Sequence, residues 1–240
     1  MSTTDPTARA TDRLANLRDL GGIPAEGGRT RSGVVLRSDA PRTGDRPPEG
    51  IEWPPRVVLD LRDEPELNGA PHPLAAEAEV HQIELLDGIH SAEVSYPLPV
   101  LYRLAVERAA DKLVRSFRLA LEADGPVLVH CAAGKDRTGI VSAMLLSAAG
   151  ARPDSIVADY IRTDQNMFRV LQRLELAPAL PPGVTEEDVR RDIVSAPVSA
   201  IEVVLEQFDA YDGAAAGWLL AHGATEDEIE RWRGRFLDAH

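Results

Sequence analysis

The sequence predicts an α/β protein whose C-terminal third is helical. Short apolar runs of strand type alternate with an amphipathic segment in the first half of the chain, and the pattern from residue 150 onward is helical. With 240 residues, of which 44% are hydrophobic, the chain is long enough to bury one large core. We therefore expect a tail at 1–12 and one domain at 13–240.

Four apolar runs are typical of strands, because they are short and rich in β-branched and aliphatic residues. Three of them are GVVLRS at 33–38, RVVLDLR at 56–62 and VHQIELL at 80–86. The fourth, GPVLVH, begins at a Gly-Pro pair and predicts a buried strand at 127–129.

Apolar residues at three- and four-residue spacing predict an amphipathic helix over 99–123. A second helix is expected over 138–149, because its residues favour helix and Gly150 stands where a C-cap glycine belongs. Other predicted boundaries are the N-caps Thr185 and Thr225 and the stops Gly213 and Gly223. Tyr102, Tyr160 and Trp218 are predicted to be core residues, and Arg18 and Asp19 to brace the amino-terminal turn.

The composition excludes several classes of function. A net charge of -13 argues against a nucleic-acid partner or an anionic membrane surface, since these select clustered basic faces. No window approaches the ~18 consecutive apolar residues of an integral membrane segment, and the polar N-terminus lacks a signal-peptide core. One cysteine excludes an internal disulfide framework, and no Cys/His cluster has zinc-site spacing. We expect a cytoplasmic protein, with signal-independent secretion left open.

The single cysteine, Cys131, lies in VHCAAGKDRTG at 129–139, on the predicted loop between a buried strand and a helix. A free cysteine is most often a small buried hydrophobe. Here, however, loop amides and a helix N-terminus form a cradle for an anion of phosphate size. Arg137 follows after five residues, so its guanidinium can grip two oxygens while the thiol lies at the floor. These groups favour a thiolate, which is a nucleophile for phosphoryl transfer.

Neighbouring residues make the phosphate-loop interpretation more specific. His130 is expected to fix the loop, Gly134 to permit its tight turn, and the Thr138 hydroxyl to donate to the thiolate. A nucleotide P-loop is excluded, because its first glycine is replaced by Val129 and its Ser/Thr by Asp136. The predicted phosphate-binding residues are Ala132, Ala133, Gly134, Lys135, Asp136, Arg137 and Thr138.

Two aspartates are candidates for the catalytic acid. Asp60 follows an apolar strand, at the edge where α/β sites form, and its alternative role is an N-cap or a loop brace. Asp136 lies inside the loop, and its alternative role is a buried ion pair with a neighbouring arginine. Because in-line displacement requires the leaving oxygen opposite Cys131, the geometry favours Asp60.

HCAAGKDRTG resembles the signature of the bacterial tyrosine-phosphatase-like family, a group of atypical protein-tyrosine and lipid phosphatases. NLRDLGG, RSGVVLRSDA, VVLDLRDEPE and ADYIRT resemble other landmarks of that family in the right order, and FDAYDGAAAGWLLAHGATEDEIERWR resembles its C-terminal helices. The resemblance implies a cysteine-phosphatase fold with a parallel-centred sheet flanked by helices. It also implies a cysteinyl-phosphate mechanism without metal or cofactor, with either aspartate as acid.

The resemblance implies phosphorylated protein substrates carrying phosphotyrosine, and in some members phosphoserine, phosphothreonine or phosphoinositides. Lys135 is similar to the lysine of lipid-active phosphatases. The family's helical lid would span 165–199, but a proline-rich stretch interrupts it here. The short, proline-rich linker before VVLDLR predicts that another family helix is missing.

The sequence therefore predicts a phosphomonoester hydrolase. The alternatives are a rhodanese-type sulfurtransferase, which also carries a cysteine on an anion-binding loop, and a phosphate-binding module without turnover. The physiological substrate and the oligomeric state are left open.

Overall fold

The computed structural model describes residues 12–89, 96–175 and 197–238. Within these ranges, a five-stranded sheet has the order β1-β4-β7-β5-β6. The strands are β1 (Arg18–Asp19), β4 (Val35–Ser38), β5 (Val57–Asp60), β6 (Glu79–Gln82) and β7 (Val127–His130), with β2 (Pro24–Ala25) and β3 (Gly28–Arg29) as a separate hairpin. Four strands are parallel, and only β1 runs antiparallel to its neighbour β4. The predicted parallel-centred sheet is confirmed.

Helices flank this sheet in the described part of the chain. They are α1 (Glu64–Leu67), α2 (Leu98–Arg108), α3 (Ala110–Glu122), α4 (Asp136–Ala148), α5 (Pro153–Ile161), a 3₁₀ turn at Arg162–Gln165, α6 (Met167–Arg173), α7 (Val198–Asp209), α8 (Ala215–Ala221) and α9 (Glu226–Phe236). The helical C-terminal third is confirmed where the structure describes it.

The single helix predicted over 99–123 is wrong, because the structure has two helices there. They meet at Ala109, whose φ of -110° and ψ of 31° are not helical. The bend lets α2 pack against α7 while α3 packs against α9. A tertiary requirement therefore overrides a helical pattern that is continuous in the sequence.

The other helix boundaries follow local signals. Gly150 has a φ of 86° just after α4, and Gly213 and Gly223 take positive φ after α7 and α8. Thr225 caps α9: its Oγ1 accepts from the Glu228 amide at 3.2 Å, and Glu228 Oε2 accepts from the Thr225 amide at 2.8 Å. The predicted N-cap Thr185 lies outside the described residues.

The two faces of the sheet bury different clusters. Leu59 and Val129 face the main core formed with the helices. Val58 and Leu128 face a smaller cluster that is completed by Leu74 from a loop. Since successive residues of a strand point to opposite faces, this alternation decides which side chains reach the site beyond the strand ends.

The segment between β4 and β5 contains no helix, as its short, proline-rich sequence predicts. Of the predicted lid at 165–199, the structure describes α6 and the start of α7, whereas 176–196 lies outside the described residues. Tyr102, Tyr160 and Trp218 are buried, which confirms them as core residues. No described helix combines the length and apolarity that crossing a bilayer requires.

Candidate active site

The loop after β7 is held by bonds to its backbone carbonyls. The Asn16 side-chain amide donates to Ala133 O at 3.2 Å and to Gly134 O at 3.0 Å. Arg37 Nη2 also donates to Gly134 O at 3.0 Å, and the Ala40 amide donates to the carbonyl of Ala132 at 3.0 Å. Three successive carbonyls are therefore drawn towards the surrounding protein.

Peptide geometry then orients the loop amides. In a trans peptide the C=O and the following N–H point in opposite directions. The N–H groups of Ala133, Gly134 and Lys135 must therefore point away from the groups that hold the carbonyls. Because α4 begins directly afterwards at Asp136, the loop presents a row of amides beside a helix N-terminus. Such an arrangement is suited to an anion, and phosphate binding by this loop stays a prediction.

A buried ion network lies beneath the cradle. Asp159 accepts from Arg18 Nε at 2.7 Å and from Arg37 Nη1 at 2.6 Å. Burial opposes ionisation of Asp159, but Arg37 and Arg18 outweigh it and lower its pKa. Burial, with help from Arg37, lowers the pKa of Arg18 to about 10. Arg18 is therefore charged at neutral pH, and Arg37 links this network to the loop at the Gly134 carbonyl.

The roles of Arg18 and Asp19 differ from each other. Asp19 accepts from the amides of Gly21 at 2.8 Å and Gly33 at 2.7 Å, so it braces the amino-terminal turn as predicted. Arg18 does not brace that turn, because its guanidinium reaches Asp159 and the Asn16 side chain under the loop instead.

Gly134 is required by both conformation and space. Its φ is 69°, and a Cβ built on it would lie 2.2 Å from the Ser38 carbonyl oxygen. A real Cβ never approaches so closely, so the loop would have to move. The tight turn predicted at Gly134 is confirmed.

Cys131 is buried, with 2% of its surface exposed, and packs with the main core. Thr138 lies on the first turn of α4 and is also buried. Among the described residues, its Oγ1 has no hydrogen-bond partner, so the predicted bond from Thr138 to the Cys131 sulfur is not formed in this structure. A buried hydroxyl without a partner is costly, and a phosphate bound in the loop would satisfy it.

Arg137 is clamped from one side by carboxylates of the α1 region. Its Nη1 and Nη2 meet the two carboxylate oxygens of Glu66, the second at 2.7 Å, and Nη1 also lies 3.2 Å from Asp63 Oδ2. Burial opposes the charge, but Glu66 and a Cys131 thiolate favour it and raise the pKa of Arg137. In the described part of the chain, the Nε–Nη2 edge is left for two oxygens of a ligand.

The two clamping carboxylates differ in their electrostatics. Burial raises the pKa of Asp63, Arg137 partly offsets this, and Glu66 and Glu84 raise it further. Burial also acts to raise the pKa of Glu66, but the hydrogen bonds from Arg137 outweigh burial, and the pKa of Glu66 is lowered. Glu66 therefore carries the charge that orients Arg137.

His130 is tied to the loop by a chain of two imidazoles. The Leu74 amide donates to His72 Nδ1 at 3.1 Å, so a neutral His72 carries its proton on Nε2. That nitrogen lies 3.0 Å from His130 Nε2 and donates to it. His130 Nδ1 then donates to the Cys131 carbonyl at 3.1 Å. This bond joins the His130 ring to the backbone of the cysteine, and the role of His130 in fixing the loop stays a prediction.

Asp60, His72 and His130 bring ligand atoms within 4.8 Å of one another, a spacing that could hold a metal. The proton arrangement does not fit one. His72 Nε2 can offer a lone pair only if the ring proton moves to Nδ1, where the Leu74 amide already donates. Both Asp60 oxygens bind Arg62, at 2.9 and 2.6 Å. These three residues are therefore better described as a hydrogen-bonded and ion-paired cluster.

Asp60 stands at the sheet edge as predicted, but on the face away from the cysteine. It is in register with His130, so the two side chains share a face, whereas Cys131 continues the face of Val129. Burial opposes its ionisation, but Arg62 and His130 prevail and lower its pKa. This position and charge state do not favour proton donation to a leaving group at Cys131.

Asp136 lies at the start of α4, with a third of its side chain exposed. Its Oδ1 accepts from the Tyr102 hydroxyl at 2.7 Å, and that hydroxyl lies 2.8 Å from the hydroxyl of Tyr160. Because Tyr102 gives its proton to Asp136, Tyr160 must donate to Tyr102. Lys135 Nζ is 3.9 Å from the same Asp136 oxygen. The predicted arginine partner of Asp136 is thus replaced by a tyrosine pair and a lysine.

A cavity of about 640 Å³ opens beside Arg137 and Asp136. Leucines from α2 and from the segment after β6 form an apolar wall, and Asp63 and Glu66 stand on the side of the clamp. An aryl group attached to a phosphate in the cradle would have apolar surface to pack against.

Several residues of the site were not predicted individually. They are Asn16, Arg37, Asp63, Glu66, His72 and Asp159. All but His72 lie within motifs that the sequence does display: NLRDLGG, RSGVVLRSDA, VVLDLRDEPE and ADYIRT. The motifs therefore carry the signal, although their spacing does not reveal which side chains meet.

Comparisons with known proteins identify several similar chains. The chain is 26% identical over 254 residues to the triple specificity protein phosphatase PtpB of Mycobacterium tuberculosis, covering 99% of this chain and 88% of PtpB. It is 28% identical over 263 residues to a putative tyrosine-protein phosphatase of Cupriavidus necator, covering 95% of this chain and 88% of that protein.

A third relative, a tyrosine-protein phosphatase of Nostoc commune, is 54% identical over 127 residues, which cover 51% of this chain and 42% of that protein. A family model described as "Tyrosine phosphatase family" matches residues 10–238. Because that match covers nearly the whole chain, this phosphatase belongs to the tyrosine phosphatase family.

Proposed function

We propose that this phosphatase hydrolyses phosphotyrosyl groups through a phosphocysteine formed at Cys131. The observation that carries the proposal is that the surrounding protein binds three successive carbonyls of the loop, which turns the following amides to the opposite side, where they could bind a phosphoryl group. Such fixed donors stabilise the charge that develops on the transferring phosphoryl oxygens.

In the first step, Cys131 Sγ attacks phosphorus as a thiolate, an S–P bond forms, and the bond from phosphorus to the tyrosyl oxygen breaks. The loop amides and the Nε–Nη2 edge of Arg137 hold the three phosphoryl oxygens. Asp136 gives a proton to the departing oxygen, so the product leaves as a neutral phenol.

In the second step, water attacks phosphorus and the S–P bond breaks. The Asp136 carboxylate takes a proton from that water, Cys131 returns as the thiolate, and inorganic phosphate is released. The Thr138 hydroxyl, buried and without a partner among the described residues, can donate to the sulfur as it leaves.

Two observations support Asp136 over Asp60 as the acid. Asp136 is partly exposed and borders the cavity beside Arg137. Asp60 is buried, bonded to Arg62 through both oxygens, and placed on the opposite face of the sheet.

The substrate range beyond phosphotyrosine is a second question. The relative PtpB is named for triple specificity. For this chain, phosphoserine, phosphothreonine and phosphoinositides are candidate substrates, and Lys135 in the loop is the side chain that could meet a second phosphate of an inositol lipid.

The test is hydrolysis of p-nitrophenyl phosphate, with Cys131→Ser as the blank. We expect wild-type turnover, loss of turnover in Cys131→Ser, and a phosphoryl group on Cys131 by mass spectrometry after acid quenching. Arg137→Ala should lower kcat by about 10² to 10³, the usual effect of losing a transition-state donor.

The alternatives give different outcomes in the same set of assays. A rhodanese-type sulfurtransferase would carry a persulfide on Cys131 after exposure to thiosulfate and pass the sulfur to cyanide. A binding module would bind phosphate without turnover. Either result, without nitrophenol release, would contradict the proposal.

A further inference from the structure

The entrance to the phosphate cradle is acidic. Four carboxylates, which we call the acidic rim, line the cavity beside Arg137: Asp63, Glu66, Glu84 and Asp87. They come from the α1 region and from the segment after β6, so two separate parts of the chain supply the same charge to one opening.

The carboxylates of the acidic rim interact electrostatically. Glu66 and Glu84 both raise the pKa of Asp63, in addition to its burial. Glu84 is held in place, because its Oε2 accepts from the Glu64 amide at 3.2 Å. Asp87 is exposed over 68% of its side chain. The rim is therefore a partly solvent-facing group of carboxylates, in which Glu66 and Glu84 are held in place by hydrogen bonds.

Nearby cations do not balance this charge within the described residues. Arg137 is shared by Glu66 and Asp63. Lys112 Nζ donates to the Glu84 carbonyl at 2.7 Å and lies 3.7 Å from Asp87. Lys135 lies beside Asp136, the fifth carboxylate of the cavity. Arg62 also favours the charge of Glu66, but its guanidinium already binds both oxygens of Asp60. The five carboxylates thus face Arg137, Lys112 and Lys135, and each of these cations already has a carboxylate neighbour.

The opposite side of the cavity is apolar. Leu86, Leu98 and Leu101 line it, with Pro65 beside the rim. This wall suits the ring of a phosphotyrosyl residue better than the polyhydroxylated ring of an inositol, because burying hydroxyls without partners is costly.

We propose that the preferred substrate is a phosphotyrosyl segment with lysine or arginine next to the phosphotyrosine. The ring packs on the leucine wall, the phosphate enters the cradle, and the flanking cation meets the acidic rim. The same rim repels the additional phosphates of polyphosphoinositides and the flanks of acidic phosphopeptides. This inference rests on the proposed function and names the substrate class of the same site.

The test compares three phosphotyrosyl peptides of equal length, flanked by Lys, Ala or Glu. At low salt, kcat/KM should fall in that order, with the two ends separated by about tenfold or more. In about 1 M salt, where the Debye length is roughly 3 Å, the three values should converge. An inositol polyphosphate head group should be hydrolysed more slowly than the Lys-flanked peptide.

Variants of the acidic rim test whether its carboxylates cause the preference for Lys-flanked peptides. The double variant Glu84→Gln/Asp87→Asn should narrow the Lys-to-Glu ratio to about twofold, whereas Glu230→Gln, an exposed carboxylate on α9 away from the cavity, should leave it as in the wild type. Equal rates on all three peptides, faster hydrolysis of the inositol head group, or an unchanged ratio in the double variant would overturn the inference. Failure of p-nitrophenyl phosphate hydrolysis would instead remove the proposed function, because that small substrate carries no flanking charge.

Discussion

The Tyr102 hydroxyl donates a 2.7 Å hydrogen bond to Asp136 Oδ1, although the two residues come from different helices. Burial, with help from Asp136, keeps the pKa of Tyr102 well above its usual value, so the proton stays on the tyrosine. Because Oδ1 already accepts this bond, we expect a catalytic proton on Asp136 to sit on Oδ2. If Asp136 is the acid, Tyr102 would then orient the carboxylate relative to the leaving group.

Replacing Tyr102 with phenylalanine should release Asp136 from this orientation. If Asp136 is the acid, kcat should fall about tenfold for alkyl phosphates and much less for activated aryl phosphates, because good leaving groups need little protonation. The measurement is the slope of log kcat against the pKa of the leaving alcohol, which should steepen. Tyr160→Phe, which leaves the bond to Asp136 in place, serves as the control. A uniform loss across leaving groups would point to a structural role alone.

The two aspartates should separate in the same leaving-group series. Asp136→Asn should lose about 10² or more in kcat with poor leaving groups and abolish the fall in kcat at rising pH that deprotonation of the acid causes. Asp60→Asn should leave the slope unchanged and lower stability by about 3 kcal/mol, because it strands Arg62 beside a neutral amide. Urea unfolding checks the second expectation. A steeper slope in Asp60→Asn would restore Asp60 as the proton donor.

Gly134→Ala should lower catalytic activity strongly, with a smaller effect on the stability of the fold. The new methyl group would meet the Ser38 carbonyl and force the cradle amides out of position, so we expect a loss in kcat/KM of about 10² or more. Gly33→Ala is the matched control, since Gly33 has a similar φ of 77° but no atom within 4 Å of the added Cβ. Gly33→Ala therefore introduces backbone strain without a steric contact. Similar activity losses in both variants would show that strain, not the contact with Ser38, is responsible.

His72 should make the protein sensitive to mild acid. Burial, with help from His130, lowers the pKa of His72 from 6.5 to about 4. As the pH falls, His72 of the unfolded chain binds a proton near pH 6.5, whereas His72 of the folded chain binds it only near pH 4. The free energy of unfolding is therefore unaffected by His72 above pH 6.5 and decreases as the pH falls between these two values. Allowing for solvent screening, the loss is about 1 to 2 kcal/mol.

His72→Gln should lose less free energy of unfolding across that pH range than the wild type does, as measured by urea denaturation. His81→Gln is the control, because His81 lies on β6 outside the imidazole chain. Parallel pH profiles for wild type and His72→Gln would contradict this account of the histidine pair.

What the sequence predicts well depends on short-range signals. The strand at β7, the loop that follows it and the turn at Gly134 are all encoded within VHCAAGKDRTG. The capping box at Thr225 and the stop at Gly150 are equally local. Each of these features requires only neighbours a few residues away, which is why pattern and turn chemistry suffice.

The remainder depends on which distant side chains meet. Ala109 interrupts a helical pattern because α2 and α3 pack against different helices. Asp60 reaches the expected edge of the sheet, yet the strand alternation turns it to the face of His130. The clamp of Glu66 on Arg137 and the bond from Tyr102 to Asp136 join separate segments. Sequence spacing cannot specify these pairings, because they are set by tertiary packing.

The hold on the loop carbonyls also constrains when the enzyme becomes active during synthesis. Asn16 and Arg37 are made first, the loop about a hundred residues later, and Asp159, which anchors Arg18 and Arg37, later still. Contacts of such sequence separation form late, after the chain entropy between them has been lost. A growing chain that ends before α5 would carry the complete signature loop without the ion network beneath it. We therefore expect the proposed chemistry at Cys131 to begin only after α5 has been made and has packed.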